Sequence, residues 1–94
     1  MKAHFDILEE YLIHSYIYYN LDDNIISDGE FDLMCKGIQA GWDRIDSPYK
    51  KIVAAEESTN GFKGKDEDFP VEIRLKAKRR LEDKNAEREL YASL

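Results

Sequence analysis

HSYIYYNLDDNIISDGEFDLM, residues 14 to 34, decides how this chain folds, because two helical patterns meet in it across a turn. Upstream and into it, Phe5, Leu8, Leu12, Tyr16 and Tyr19 recur at spacings of three and four, which predicts a helix from about residue 3 to residue 20 with that set facing the core. Tyr11, His14 and Tyr18 follow the same spacing on another face. That semi-polar aromatic face is left for something other than the core. NLDDNII is a turn signal, since Asp and Asn tolerate left-handed geometry and bond locally to the backbone. Ser27 followed by Glu30 is a capping box that opens a second helix. The apolar set of that helix is Phe31, Met34, Cys35, Ile38 and Trp42. Gly37 and Gly41 each lower its propensity by roughly 1 kcal/mol, so it is expected to fray near GWDRI.

Working outward, Ser47 before Pro48 resembles an N-cap followed by proline at the first helical position. SPYKKIVAAEE then reads as a short third helix or as an extended segment. Residues 58–69, STNGFKGKDEDF, are polar and contain glycine, the composition of a loop or linker. Pro70 can start a last helix, whose apolar edge is Val71, Leu75, Lys78, Leu81 and Leu90 among many charges. A stripe that thin fits an arm that projects to a partner and fits docking on the chain's own core. The expected fold is all-α: a helix-turn-helix pair with a short third helix over 1–57, a linker over 58–69 and a charged C-terminal helix over 70–94.

Ninety-four residues suit one small domain, and 43% hydrophobic residues suffice for a core. The single cysteine, Cys35, allows no internal disulfide, which predicts a reducing, cytoplasmic setting. Asp6, Glu9 and Glu10 interrupt the apolar pattern at the N-terminus, so no membrane span or signal segment is expected there. Residues 1–61 carry 5 basic and 12 acidic side chains, and residues 62–94 carry 9 and 8. This balance disfavours direct nucleic-acid binding, which needs a surplus of cations on one face. The run KAKRR, 76–80, interleaved with Glu72, Glu82 and Asp83, reads as a solvated helix face.

Few constellations here could carry chemistry. Asp28 and Asp32, at i and i+4, share a face of the second helix, where they complement the helix dipole or accept hydrogen bonds from a ligand. Asp22, Asp23, Asn24 and Asp28 depart from the calcium-loop order, which has a central glycine and a terminal glutamate. His4 and His14 lack partners at zinc spacing. Cys35 sits in an apolar stripe, as packing requires and a Cys–His nucleophile does not. Tyr16 and Tyr19 suit core packing with their hydroxyls at the surface. Tyr11 and Tyr18 suit exposed aromatic faces on which a planar cation stacks.

The run from His14 to Met34, followed by DSPYKKIV at 46–53, resembles the N-terminal subdomain of bacterial NAD-dependent DNA ligases that binds nicotinamide mononucleotide (NMN). That family shows a pattern like H-x-Y-x-Y-Y/H-x-x-D, then S/P-D-x-E-Y-D-x-L, and later D-S-P-T-x-x-V-G. The likeness covers roughly residues 5–54. It implies a small helical module that closes over the nicotinamide half of NAD and assists adenylation. It places His14, Tyr18, Tyr19, Asp28, Phe31 and Asp32 at the NMN or NAD site, with the two aspartates on ribose or carboxamide groups. Phe31 stands where the family usually has tyrosine, and a hydroxyl bond lost there costs about 0.5–1.5 kcal/mol. Ala54 replaces the expected glycine, and residues beyond about 58 diverge. No K-x-D-G lysine motif is present, since KGKDED at 63–68 does not match it, so alone this chain is not expected to form lysyl-AMP. The resemblance implies a freestanding binder of NMN or NAD, acting alone or as a subunit for a nucleotidyltransferase partner, of a kind that suits a phage genome; the thin stripe of the C-terminal helix offers the grip on such a partner. The other reading is an acidic protein-interaction module that reuses the scaffold to bind a host or partner protein, or a second copy of itself.

Overall fold

A computed structural model describes residues 5–54 and 61–94. Residues 1–4, which include His4, and the stretch 55–60 lie outside the described residues; the first helix, expected from about residue 3, starts at Ile7, because the extended Asp6 caps it. The fold is all-α: three helices, α1 (Ile7–Tyr19), α2 (Asp28–Gly41) and α3 (Val71–Ala92), with no strand among the described residues.

Helix α1 begins at Asp6, whose carboxylate accepts the backbone N–H groups of Leu8 and Glu9 at 3.0 and 3.2 Å. Those donors have no partner inside the helix, so the cap removes an exposed-end penalty. The same carboxylate accepts the Ser47 hydroxyl at 2.8 Å, and Ser47 in turn caps the 3₁₀ turn Pro48–Lys51 by accepting the Tyr49 N–H. Two helix starts are thus tied together by one aspartate. Of the run SPYKKIVAAEE, only this turn is helical among the described residues.

Every residue from Tyr11 to Ile17 is buried, as is Leu8. The expectation of one core face and one free aromatic face is therefore corrected. Tyr11 is fully buried and stacks on Phe31 (5.9 Å between centroids, 17° between planes), while Phe5, expected in the core, is exposed. The reason is tertiary: α1 is covered by α2, by α3 and by residues 61–69 together. Ser15 can be buried because its hydroxyl accepts the Phe62 N–H at 3.1 Å.

Helix α2 opens with the expected capping box, Ser27 Oγ accepting the Glu30 N–H at 3.1 Å and Glu30 Oε1 the Ser27 N–H at 3.0 Å. It buries Cys35 and Ile38, with Phe31, Met34 and Trp42 half-buried beside them. After Gly41 it tightens into a 3₁₀ turn, Trp42–Arg44.

Residues 61–69 form a loop that packs inward. Phe62 and Phe69 are buried edge to face, 5.1 Å apart, and Phe69 meets Tyr16 in the same way at 4.9 Å. The Tyr16 hydroxyl bonds to Asp66, which also holds Arg74 at 3.0 Å. Burial, and then the Asp66 carboxylate, push the Tyr16 phenol up to about 12. Its hydroxyl is thus committed to the protein and not left at the surface.

Helix α3 docks on α1 through a different face from the one its Leu and Val spacing suggested. Ile73 and Ala77 are fully buried and Leu81 is half-buried, whereas Val71, Leu75 and Leu90 are exposed. The docking is flanked by Lys76 to Glu9 at 3.0 Å and a bidentate Arg80 to Glu10 pair at 2.6 and 2.5 Å. These two cations of KAKRR therefore bind α1 instead of forming a purely solvated face. Small Ala77 lets the backbones approach, and the charges that thinned the apolar stripe serve as interhelical bonds.

Candidate functional site: a cavity at the corner of the first two helices

Where α1 ends, Tyr16 and Ile17 carbonyls accept the N–H groups of Leu21 and Asp23, and Asp22 takes a left-handed φ of 54° to turn the chain. Asp tolerates that conformation because its short polar side chain bonds locally. The turn leaves a cavity of about 240 Å³ between α1, residues 24–27 and the first turns of α2. His14, Tyr18, Tyr19, Asp28, Phe31 and Asp32 all line it. The six residues singled out in the sequence thus converge on one concavity, from two helices and both sides of the turn.

Tyr18 and Tyr19 are exposed and meet edge to face at 4.8 Å, an arrangement that holds both rings at the cavity mouth. Phe31 rests on Tyr11, so its ring is fixed from behind by the core. Asp28 and Asp32 are exposed carboxylates on the α2 side, and Asp32 pairs with Lys36 at 3.0 Å. His14 is buried, and burial lowers its pKa despite the opposing Glu10 carboxylate 3.7 Å away. It is neutral at pH 7, able to donate from one ring nitrogen and accept at the other. Cys35 also lines the cavity, but burial, and then Asp32, raise its thiol pKa, the reverse of what a nucleophile needs.

Among the described residues the lining holds two carboxylates and no lysine or arginine. The nearby cations are engaged around it: Lys36 on Asp32, Lys63 over the Tyr19 ring at 5.6 Å, and Arg88 on Asp23 and the Asn24 carbonyl. Aromatic faces with carboxylates attract a planar cation and repel an anion. Among the described residues no group of three or more His, Cys, Asp or Glu could hold a metal ion.

Sequence reasoning missed Asn24, Ile25, Ile26, Ser27 and Cys35 as lining residues, and also Gly61. The Ile25–Ile26 pair inside a polar turn was a signal, since apolar residues there need cover. Gly61 had none. It packs so closely that a Cβ would stand 2.3 Å from Cε2 of Tyr19, and that approach depends on residues 42 positions apart.

No protein-family model, curated protein or solved structure matches the chain. No helix among the described residues is long and apolar enough to cross a membrane.

Proposed function

We propose that this chain is a nicotinamide-nucleotide-binding module, a freestanding counterpart of the NMN-binding subdomain of NAD-dependent DNA ligases that serves a nucleotidyltransferase partner in the cytoplasm. The observation that carries the reading is the convergence of the six residues of the ligase-like motif on one cavity. Charge supports the ring end of the ligand: an oxidised nicotinamide is a planar cation suited to the aromatic faces and carboxylates of the lining, while the NMN phosphate, an anion, finds no lysine or arginine there and stays outside the cavity in this reading. Size favours the nicotinamide-ribose half over the whole dinucleotide, because about 240 Å³ lies below the 300–1,000 Å³ of cavities that enclose drug-sized ligands. A small cavity open to solvent offsets little of the freedom a ligand loses on binding, so affinity of the isolated chain is on the order of millimolar. The adenylating lysine belongs to the partner in this reading.

Amide NMR titration with NMN and with NAD tests it. Saturable shifts centred on Tyr18, Asp28 and Asp32, lost in Asp32→Ala with the helical spectrum intact, are expected. No shift at several millimolar of either ligand would overturn the reading.

One observation favours a second reading, a protein-interaction module. Leu90, Tyr91 and Leu94 are 62%, 67% and 92% exposed at the end of α3, an apolar tip on an otherwise charged helix. Specific capture of a nucleotidyltransferase that depends on this tip would unite both readings.

A further inference from the structure

From Asn85 to Leu94 every residue of the chain is exposed, so burial does not hold the distal part of α3 in place. Among the hydrogen bonds of the described residues, one side chain joins this stretch to another element. Arg88 donates from Nη1 to Asp23 Oδ2 at 3.2 Å, from Nη2 to Asp23 Oδ1 at 3.4 Å, and from Nη2 to the Asn24 carbonyl at 2.9 Å. Its Nη1 also donates to Asn85 Oδ1 at 2.8 Å, which orients the guanidinium from within its own helix. The target is the turn between α1 and α2. Asn24, Ile25 and Ile26 of that turn form one wall of the cavity, and the turn has no helical hydrogen bonds of its own.

We propose that Arg88 is a positioning residue for the cavity: by clamping Asp23 and the Asn24 carbonyl it fixes the turn that walls the cavity, and so couples the cavity to the docking of the distal C-terminal helix. The planar fork of arginine satisfies a carboxylate and a carbonyl together, which a lysine ammonium on a flexible stem does less well. The inner side of the turn is held by the Leu21 and Asp23 N–H groups on the Tyr16 and Ile17 carbonyls and by Leu21 and Ile25 against the core, and Arg88 braces its outer side, where Asp22 holds left-handed geometry and Asn24 bonds within the turn to Asp23 and Ile26. Linkage makes the effect reciprocal: whatever orders the wall orders the helix end, and a partner that draws the helix end away loosens the wall. The clamp itself is independent of the ligand; only the affinity arm below rests on the nicotinamide reading.

The test uses the full chain, with Arg88→Gln and Arg88→Lys, and two readouts. In Arg88→Gln, amide exchange at Asp23 and Asn24 should quicken at least threefold while amides in the middle of α1 keep their wild-type rates. NMN should bind about fivefold more weakly to Arg88→Gln, with Arg88→Lys in between. In the wild type, NMN should also shift amides of residues 85–91, remote from the ligand, and that response should vanish in Arg88→Gln. A purely structural tether would not produce it. Unchanged exchange at Asp23 and Asn24 overturns the clamp. Faster exchange with undiminished NMN affinity overturns the coupling. Faster exchange in a chain whose wild type binds no NMN upholds the clamp and sinks the nicotinamide reading alone.

Discussion

Helices α1 and α3 carry the same kind of sequence signal and end in opposite surroundings. Both repeat apolar residues at helical spacing, yet α1 is buried on nearly every side from Leu8 to Ile17, whereas α3, with 22 residues, buries only Ile73 and Ala77. Periodicity states which residues share a face; it does not state how many faces will be covered. Apolar burial contributes about 25 cal/mol per Å², so the helix richest in large apolar side chains takes the centre and the charged helix wraps its edge. The charges of α3 are then used in pairs with Glu9 and Glu10.

The sharpest way to break this contrast is to cut equal side chains from both helices. Leu12→Ala in α1 is expected to lose about 2–5 kcal/mol in urea unfolding, and Leu75→Ala in α3 less than about 0.5. Similar losses would mean that α3 is covered in solution and α1 is not central.

Overpacking the buried face of α3 should matter next. Ala77→Leu is expected to cost about 1–3 kcal/mol, because the fully buried site has no room for three further carbons. A stable Ala77→Leu would place the docking face elsewhere on α3.

Acid titration separates the two kinds of polar support around α1. The hydrogen bond from Arg80 holds the Glu10 carboxyl below the usual glutamate range, and burial holds His14 below the usual histidine range. Both folded-state values are depressed, so both contributions are present above the ordinary pKa and are lost as pH falls through the folded one. Stability should fall first below the ordinary histidine range and again below the glutamate range, each kcal/mol lowering Tm by about 4–8 °C. His14→Gln should flatten the first step and Arg80→Met the second; steps that persist in these variants would assign them to other groups.

A small effect on stability is expected where α1 opens to the cavity. Gly61→Ala drives a methyl group against Tyr19, but that ring is 40% exposed and can swing outward, so the cost should stay under about 1 kcal/mol. NMN binding should weaken more than stability does, and an unchanged titration would remove Tyr19 from the site.

Much of the fold was legible. The capping box of Ser27 and Glu30 set the start of α2 within the residues that form it, and Ser47 with Pro48 marked the 3₁₀ turn, because caps depend on neighbours two or three positions away. The candidate site was legible to the extent that its residues lie within one short stretch, His14 to Asp32. Legibility failed where a second element decided the outcome. Tyr11 was expected on a free face and is core because Phe31 stacks on it. Leu75 was expected on an apolar edge that would meet either a partner or the chain's own core, and it faces away from α1, where Ile73 and Ala77 are buried with Lys76 and Arg80 beside them.

Local chemistry in the sequence therefore determined the helical class, the turn and the caps at Ser27 and Ser47, and the motif between His14 and Asp32 named half of the residues at the cavity. The tertiary structure alone decided which faces are buried, that residues 61–69 supply Phe62 and Phe69 to the core, and that Gly61 and the Arg88-held turn wall the cavity. Spacing of three and four encodes a face through bonds made within one helix, while coverage of that face depends on groups tens of residues away, whose approach no local pattern records.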